Sequence, residues 1–136
     1  MSDDASRGAE PPGPVVIKYD EVPWDKPRRP AGELTGLMKK AAEAGAGRKK
    51  VITGQAGFYM NRSVMPPGFR VPVHSHSHDE FFVVMEGGCT FDDGIVLGKG
   101  DCIVFDAGYR YGFTCGPEGM DFMTIRTGEA TFQMDE

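Results

Sequence analysis

Basic charge is in short supply: 15 Lys and Arg stand against 20 Asp and Glu, for a formal net charge of −5, and no large basic block gathers the cations together. A protein that grips a phosphate backbone needs such a concentration, so nucleic acid is not an expected partner. Long apolar runs are missing too. Nothing approaches the roughly 20 residues of a membrane-spanning helix, so no membrane association is expected. Cysteine is sparse, at positions 89, 102 and 115, and the odd number argues against a disulfide framework. The opening MSDDASRGAEPPGP lacks the basic-then-apolar pattern of an export signal, so free thiols in the cytoplasm are the expectation. Helical periodicity is equally thin. Only between Pro30 and Gly45 do Leu34, Leu37, Met38 and Ala41 recur at helical spacing, and Gly32 and Gly36 weaken even that short segment.

What the chain does contain suits one compact β domain. Its 136 residues match the usual size of a single domain, and nine Phe, four Tyr and one Trp within an apolar share of 40% supply a core. Residues 1–14, rich in Pro, Gly, Asp and Ser, bury too little to offset the entropy of ordering and are expected to be a disordered tail. Residues 15–136 are then the single domain. VVIKYDEVPW predicts a short strand stopped by Pro23, with Trp24 anchored on the body of the fold. From Gly45 onward, short Val-, Phe-, Tyr- and Thr-rich segments alternate with Gly, Pro and Asp-Gly, the mark of an all-β barrel or sandwich. Strands are expected near 50–64, 70–76, 80–86, 89–97, 101–106, 110–115 and 119–134, with a tight hairpin turn at Asp93-Gly94.

The three histidines of the chain all stand in HSHSHDE, inside the stretch GFRVPVHSHSHDEFFVVMEGG. Side chains two apart on a strand share a face, so His74 and His76 present two imidazoles together, and Glu80 follows after a small displacement of the chain. Two neutral nitrogens and one carboxylate suit a divalent transition metal: Fe2+ is favoured, and Mn2+, Ni2+, Zn2+ or Cu2+ are also compatible. A solvated polar strand is the alternative to a metal site. His78 shares the parity of the other two but sits where the chain should turn, so it is held in reserve as a ligand.

The spacing GxxxxxHxHxxxExxxxxxG is the first motif of the cupin superfamily, and Gly68, His74, His76, Glu80 and Gly87 fill every fixed position. The chain therefore resembles a small single-domain cupin. The resemblance implies a jelly-roll β-barrel around one metal ion held by His74, His76 and Glu80, with motif one at 68–87 and motif two at 100–115. The second motif, GxxxxxPxGxxHxxxN, is matched only at Gly100 and Gly108 of GDCIVFDAGYRYGFTC; Asp106, Tyr111 and Cys115 replace its Pro, His and Asn. Tyr111 thus stands where the family's fourth ligand is usual. Three roles stay open for it: a neutral phenol leaving extra coordination positions, a proton donor or acceptor at bound substrate, or a packing residue.

Phe82 and Val84 share the parity of Glu80, and Phe113 and Cys115 continue the face of Tyr111, so an aromatic pocket below the metal is expected, with Phe82 and Phe113 against the substrate. Arg70, with the parity of His74, is a candidate to pair a substrate carboxylate. The functional expectation is a metal-dependent enzyme acting on a small organic molecule, leaning toward a dioxygenase. A metal-assisted isomerase, cyclase or lyase and a non-catalytic metabolite- or metal-binding protein are the alternatives. A homodimer formed through the face of Phe81 and Val83, and a lid from residues 31–49, complete the expectations.

Overall fold

A computed structural model describes residues 13–25, 45–129 and 132–134. Eight strands make up nearly all of its regular structure: β1 Gly47–Thr53, β2 Tyr59–Met65, β3 Arg70–His76, β4 Glu80–Phe91, β5 Val96–Leu97, β6 Cys102–Phe105, β7 Tyr111–Arg126 and β8 Phe132–Met134. Every pairing among them is antiparallel. The longest strand, β7, is the spine. One of its edges carries β3 along its first part and β2 along its second, while β4 follows the other edge for almost the whole length. β1 extends the sheet beyond β2, β8 beyond β3, and β5 and β6 beyond β4. This all-β, jelly-roll type of sheet is the expected class; among the described residues its ladders do not close into a ring.

Two pairs of expected strands are continuous. The segment placed at 80–86 and the first part of that at 89–97 run together as β4 through Gly87-Gly88, with Val96–Leu97 set apart as β5, and the segment at 110–115 and the first part of that at 119–134 run together as β7 through Gly116-Pro117. Glycine and proline were read as interruptions, but here they let two paired strands bend in step, with register shifts around Gly87. At that bend the backbones nearly touch. A Cβ on Gly87 would lie 2.1 Å from the Gly119 carbonyl oxygen, and both residues take positive φ, 75° and 76°. The Asp93-Gly94 turn forms as expected, with the Gly94 amide donating to the Phe91 carbonyl.

The alternation of β4 and β7 decides what lies inside. Phe82, Val84, Phe91, Phe113, Cys115, Met120 and Phe122 are buried, joined by Phe105 of β6 and Val71 of β3. Phe82 is the hub: it is 1% exposed and its ring centre lies 4.9 Å from that of Phe122.

The segment at 15–24 is not a strand. It runs without regular pairing through a 3-10 turn at Tyr19–Glu21, which sets Tyr19 and Trp24 over the ammonium of Lys49 and the guanidinium of Arg62. Trp24 therefore does lie on the body of the sheet, its ring against Gly47. The expected helix between Pro30 and Gly45 falls at residues 26–44, outside the described residues, as do residues 1–12 of the expected tail and most of the expected lid. Only short 3-10 turns, Tyr19–Glu21 and Gln55–Gly57, are helical among the described residues. No helix there is long and apolar enough to cross a membrane.

Candidate functional site

His74 and His76 end β3, Glu80 opens β4 and Tyr111 opens β7, so three strand ends meet at one rim of the sheet. The pairing does the assembling. His74 lies opposite Tyr111 in the β3–β7 ladder, and Glu80 lies opposite Arg126 in the β4–β7 ladder, which puts each pair of side chains on a common face. All four of His74, His76, Glu80 and Tyr111 are buried, Glu80 at 4% exposure. The two imidazole rings stand 4.9 Å apart, edge to face, and the Tyr111 ring lies 4.4 Å from His74. His76 Nε2 is 3.7 Å from Glu80 Oε1. The Tyr111 hydroxyl donates to the same carboxylate oxygen at 3.4 Å, and Arg126 Nη2 reaches the other one at 3.5 Å.

Burial sets the protonation of this cluster. Desolvation raises the Glu80 carboxyl above its ordinary range, opposed by the Arg126 charge and by the hydrogen bonds from Tyr111 and Arg126. The same desolvation raises the Tyr111 phenol, assisted by the neighbouring Glu80 charge, so the hydroxyl is a neutral donor. His74 is pushed down, again chiefly by desolvation, and is the neutral imidazole near pH 7. Its Nδ1 lies 2.8 Å from the Pro72 carbonyl oxygen, which can only accept. The proton is therefore on Nδ1 and the lone pair on Nε2, the tautomer that a metal-ligating histidine adopts when a backbone carbonyl holds its other nitrogen.

Donor chemistry and tautomer fit a divalent ion. The 3.7 Å between His76 Nε2 and Glu80 Oε1 is a span that two ligands, each about 2.1 Å from one ion, can bridge. Convergence is nevertheless incomplete: among the described residues no group of three or more His, Cys, Asp or Glu side chains is placed to hold an ion. Glu80 is instead engaged by Tyr111 and Arg126.

The remaining expected residues divide. Phe82 and Phe113 lie inside, below the cluster, with Phe82 to Phe113 ring centres 6.2 Å apart. Arg70 is outside it, on the exposed face in a forked ion pair with Asp92. The cause is a bulge: Val71 pairs with Phe113 but His74 with Tyr111, so one extra residue in β3 reverses the parity that was to align Arg70 with His74. His78 also stays apart, its Nδ1 against the Ser77 hydroxyl and its ring against Gly128. Arg126 was not anticipated. It continues the inward alternation of Met120, Phe122 and Thr124, and counting that parity along β7 would have marked it as inward-facing. Cys89 and Cys115 face each other across β4 and β7 as buried free thiols, which burial pushes up to about 12 and about 11. Tyr111 also lines a cleft of about 410 Å3, together with Phe91, Phe105, Tyr109 and Arg110.

A family description, cupin domain, matches residues 61–126, a span that holds every residue of the cluster. The chain carries a cupin domain. No curated protein matches this cupin by sequence. Among solved structures it is similar to the polyketide cyclase RemF from Streptomyces resistomycificus, at 20% identity over 91% of this chain and 87% of that one, TM-score 0.66. A sugar phosphate isomerase from Silicibacter pomeroyi is 24% identical over 90% of this cupin and 82% of its own length, TM-score 0.64. KdgF from Halomonas sp. is 17% identical over 86% and 96%, TM-score 0.61. Likeness at these identities establishes the fold and leaves the reaction to the site itself.

Proposed function

We propose that this cupin is a metal-dependent enzyme that transfers protons on a small organic molecule, as an isomerase, cyclase or lyase does, with the ion held by His74, His76 and Glu80. The observation that carries the proposal is the Tyr111 hydroxyl bonded to Glu80 within the buried histidine cluster. When bound, a divalent ion supplies Lewis-acid polarisation of a substrate carbonyl or carboxylate. Tyr111 supplies the proton. Its neutral phenol donates to a developing oxyanion or carbanion, and Glu80 beside it tunes the return of the proton. Phe82 and Phe113, buried below the cluster, keep water from its floor. A sugar phosphate isomerase and a polyketide cyclase among the structural relatives are in keeping with such chemistry.

Dioxygen chemistry is the second reading, supported by the pairing of two imidazoles with one carboxylate, the donor set of non-haem ferrous oxygenases. One experiment separates the two. Metal-free protein is titrated with Mn2+, Fe2+, Ni2+, Cu2+ and Zn2+, and the loaded forms are given pools of oxo-acids, keto-sugars and diketones with and without oxygen. Turnover under strict anaerobiosis is expected. Turnover that needs and consumes oxygen transfers the site to the dioxygenase reading, and ion binding no tighter than that of His76→Gln overturns the metal site.

Three free thiols support a reducing, cytoplasmic setting. Association into a homodimer is part of the proposal. Phe81, Met85 and Val104 expose apolar surface on the outer face of β4 and β6, and light scattering at micromolar concentration tests it, a monomer being the refuting result.

A further inference from the structure

From the surroundings of Arg126 we infer that this guanidinium is the anchor for a substrate carboxylate, so that the molecule handled at this site is a small organic acid. The inference deepens the reading of His74, His76 and Glu80 as a metal site and rests on it for its catalytic meaning. Arg126 ends β7 inside the rim where the cluster assembles, and its side chain is only 16% exposed. It lies opposite Glu80 in the β4–β7 ladder with Nη2 3.5 Å from a Glu80 carboxylate oxygen, so it faces the same space as the cluster.

The guanidinium is incompletely used. Nε and Nη2 form one edge of the planar group, the edge that takes a carboxylate through two parallel hydrogen bonds. Nη2 has Glu80 at 3.5 Å, beyond the usual range for such a bond, and the buried Nε has no hydrogen-bond partner among the described residues. A buried donor without an acceptor is costly, and a native fold keeps one where a ligand completes it. Glu80 is a poor permanent partner because it is shared with Tyr111 and His76.

Drawing Glu80 toward an ion would strip Arg126 of the side-chain hydrogen bond described for it. The ion and Arg126 would then outweigh the single carboxylate, leaving a buried site with positive charge to be met. A carboxylate fits better than a phosphate ester, since one planar fork matches one planar anion and no second Lys or Arg is seen bonded to Glu80 or Tyr111. The surface ion pair of Arg70 with Asp92 leaves Arg126 to do this work.

The test measures binding, not turnover. Benzoate, benzamide and phenyl phosphate are titrated by calorimetry into metal-free wild type and Glu80→Gln, and into Arg126→Lys and Arg126→Gln each combined with Glu80→Gln. Removing the Glu80 charge releases Arg126, so Glu80→Gln is expected to bind benzoate roughly 10- to 100-fold more tightly than benzamide, the margin of a charge-assisted hydrogen bond. Arg126→Lys, which keeps the charge and protects the fold, is expected to lose most of that preference, and Arg126→Gln all of it. Equal binding of acid and amide by Glu80→Gln, a preference that survives both Arg126 variants, or tighter binding of phenyl phosphate overturns the inference. Wild type is then titrated with benzoate with and without Mn2+. Failure to bind the ion removes the metal reading alone, because the metal-free arms still decide the role of Arg126.

Discussion

Removing the Tyr111 hydroxyl, by Tyr111→Phe, separates packing from chemistry. The ring itself is well held: it stacks on Phe105 with centres 4.0 Å apart and planes 5° from parallel, and it contacts His74 at 4.4 Å. Phe keeps all of that. What is lost is one hydrogen bond to Glu80 at 3.4 Å, long for an O–H donor, so the stability cost should be about 1 kcal/mol or less. For a chain of this length that is a drop of about 4 °C in the melting temperature. If the phenol moves a proton, turnover should instead fall by roughly 10²- to 10⁴-fold, which is about 3–5 kcal/mol of barrier. The two magnitudes do not overlap. Metal-free protein offers a further check: there the Tyr111 hydrogen bond helps to hold the Glu80 carboxyl down, so its removal should raise the pH at which that carboxyl ionises. The assay is anaerobic steady-state turnover of whichever acid the substrate pools identify, with ion occupancy measured in parallel. Activity within about threefold of wild type at equal ion content would refute a proton-transfer role for Tyr111.

Three other outcomes are expected. Phe82→Ala should lower the unfolding free energy by about 3–5 kcal/mol in urea titration, because the ring is the hub of the buried aromatic group; a loss below about 1 kcal/mol would mean the core is not packed around it. Gly119→Ala should destabilise by at least about 2 kcal/mol more than Gly94→Ala: both take positive φ, but only the first directs a Cβ to within 2.4 Å of a carbonyl oxygen, that of Met65. Equal thermal midpoints for the two would contradict the close approach of the strands. In metal-free protein, His74 titrates below its ordinary 6.5, so its contribution to stability is complete above that value and drains away as pH falls through the lowered pKa. Chemical denaturation from pH 7.5 to 5 should show this slope in wild type and a shallower one in His74→Gln; parallel profiles would exclude the effect.

The cluster was legible where side-chain identity carries the chemistry and opaque where backbone geometry decides. His74, His76 and Glu80 announce themselves because imidazole and carboxylate at that spacing between Gly68 and Gly87 have few other uses, and the interior positions of Phe82, Val84 and Phe113 follow from strict alternation. Arg70 shows the limit of that rule. A bulge inserted between Val71 and His74 leaves no clear trace in the letters, yet it flips every side chain before it to the opposite face. Arg126 was missed for a complementary reason: it is 46 residues from Glu80 in sequence, and only the β4–β7 register brings the two together. The second motif shows both sides. Gly100 and Gly108 were recognisable as motif positions, and both take positive φ, while the meaning of Tyr111 depended on what its hydroxyl would reach.

The central position of β7 also governs how the molecule can come into being on the ribosome. β2, β3 and β4 all wait for hydrogen-bonding partners that lie between Tyr111 and Arg126, so a nascent chain that has exposed only its first hundred residues holds three strands with their principal edges bare. Assembly must therefore await the emergence of the spine, and until then these edges are open to chaperones or to neighbouring chains.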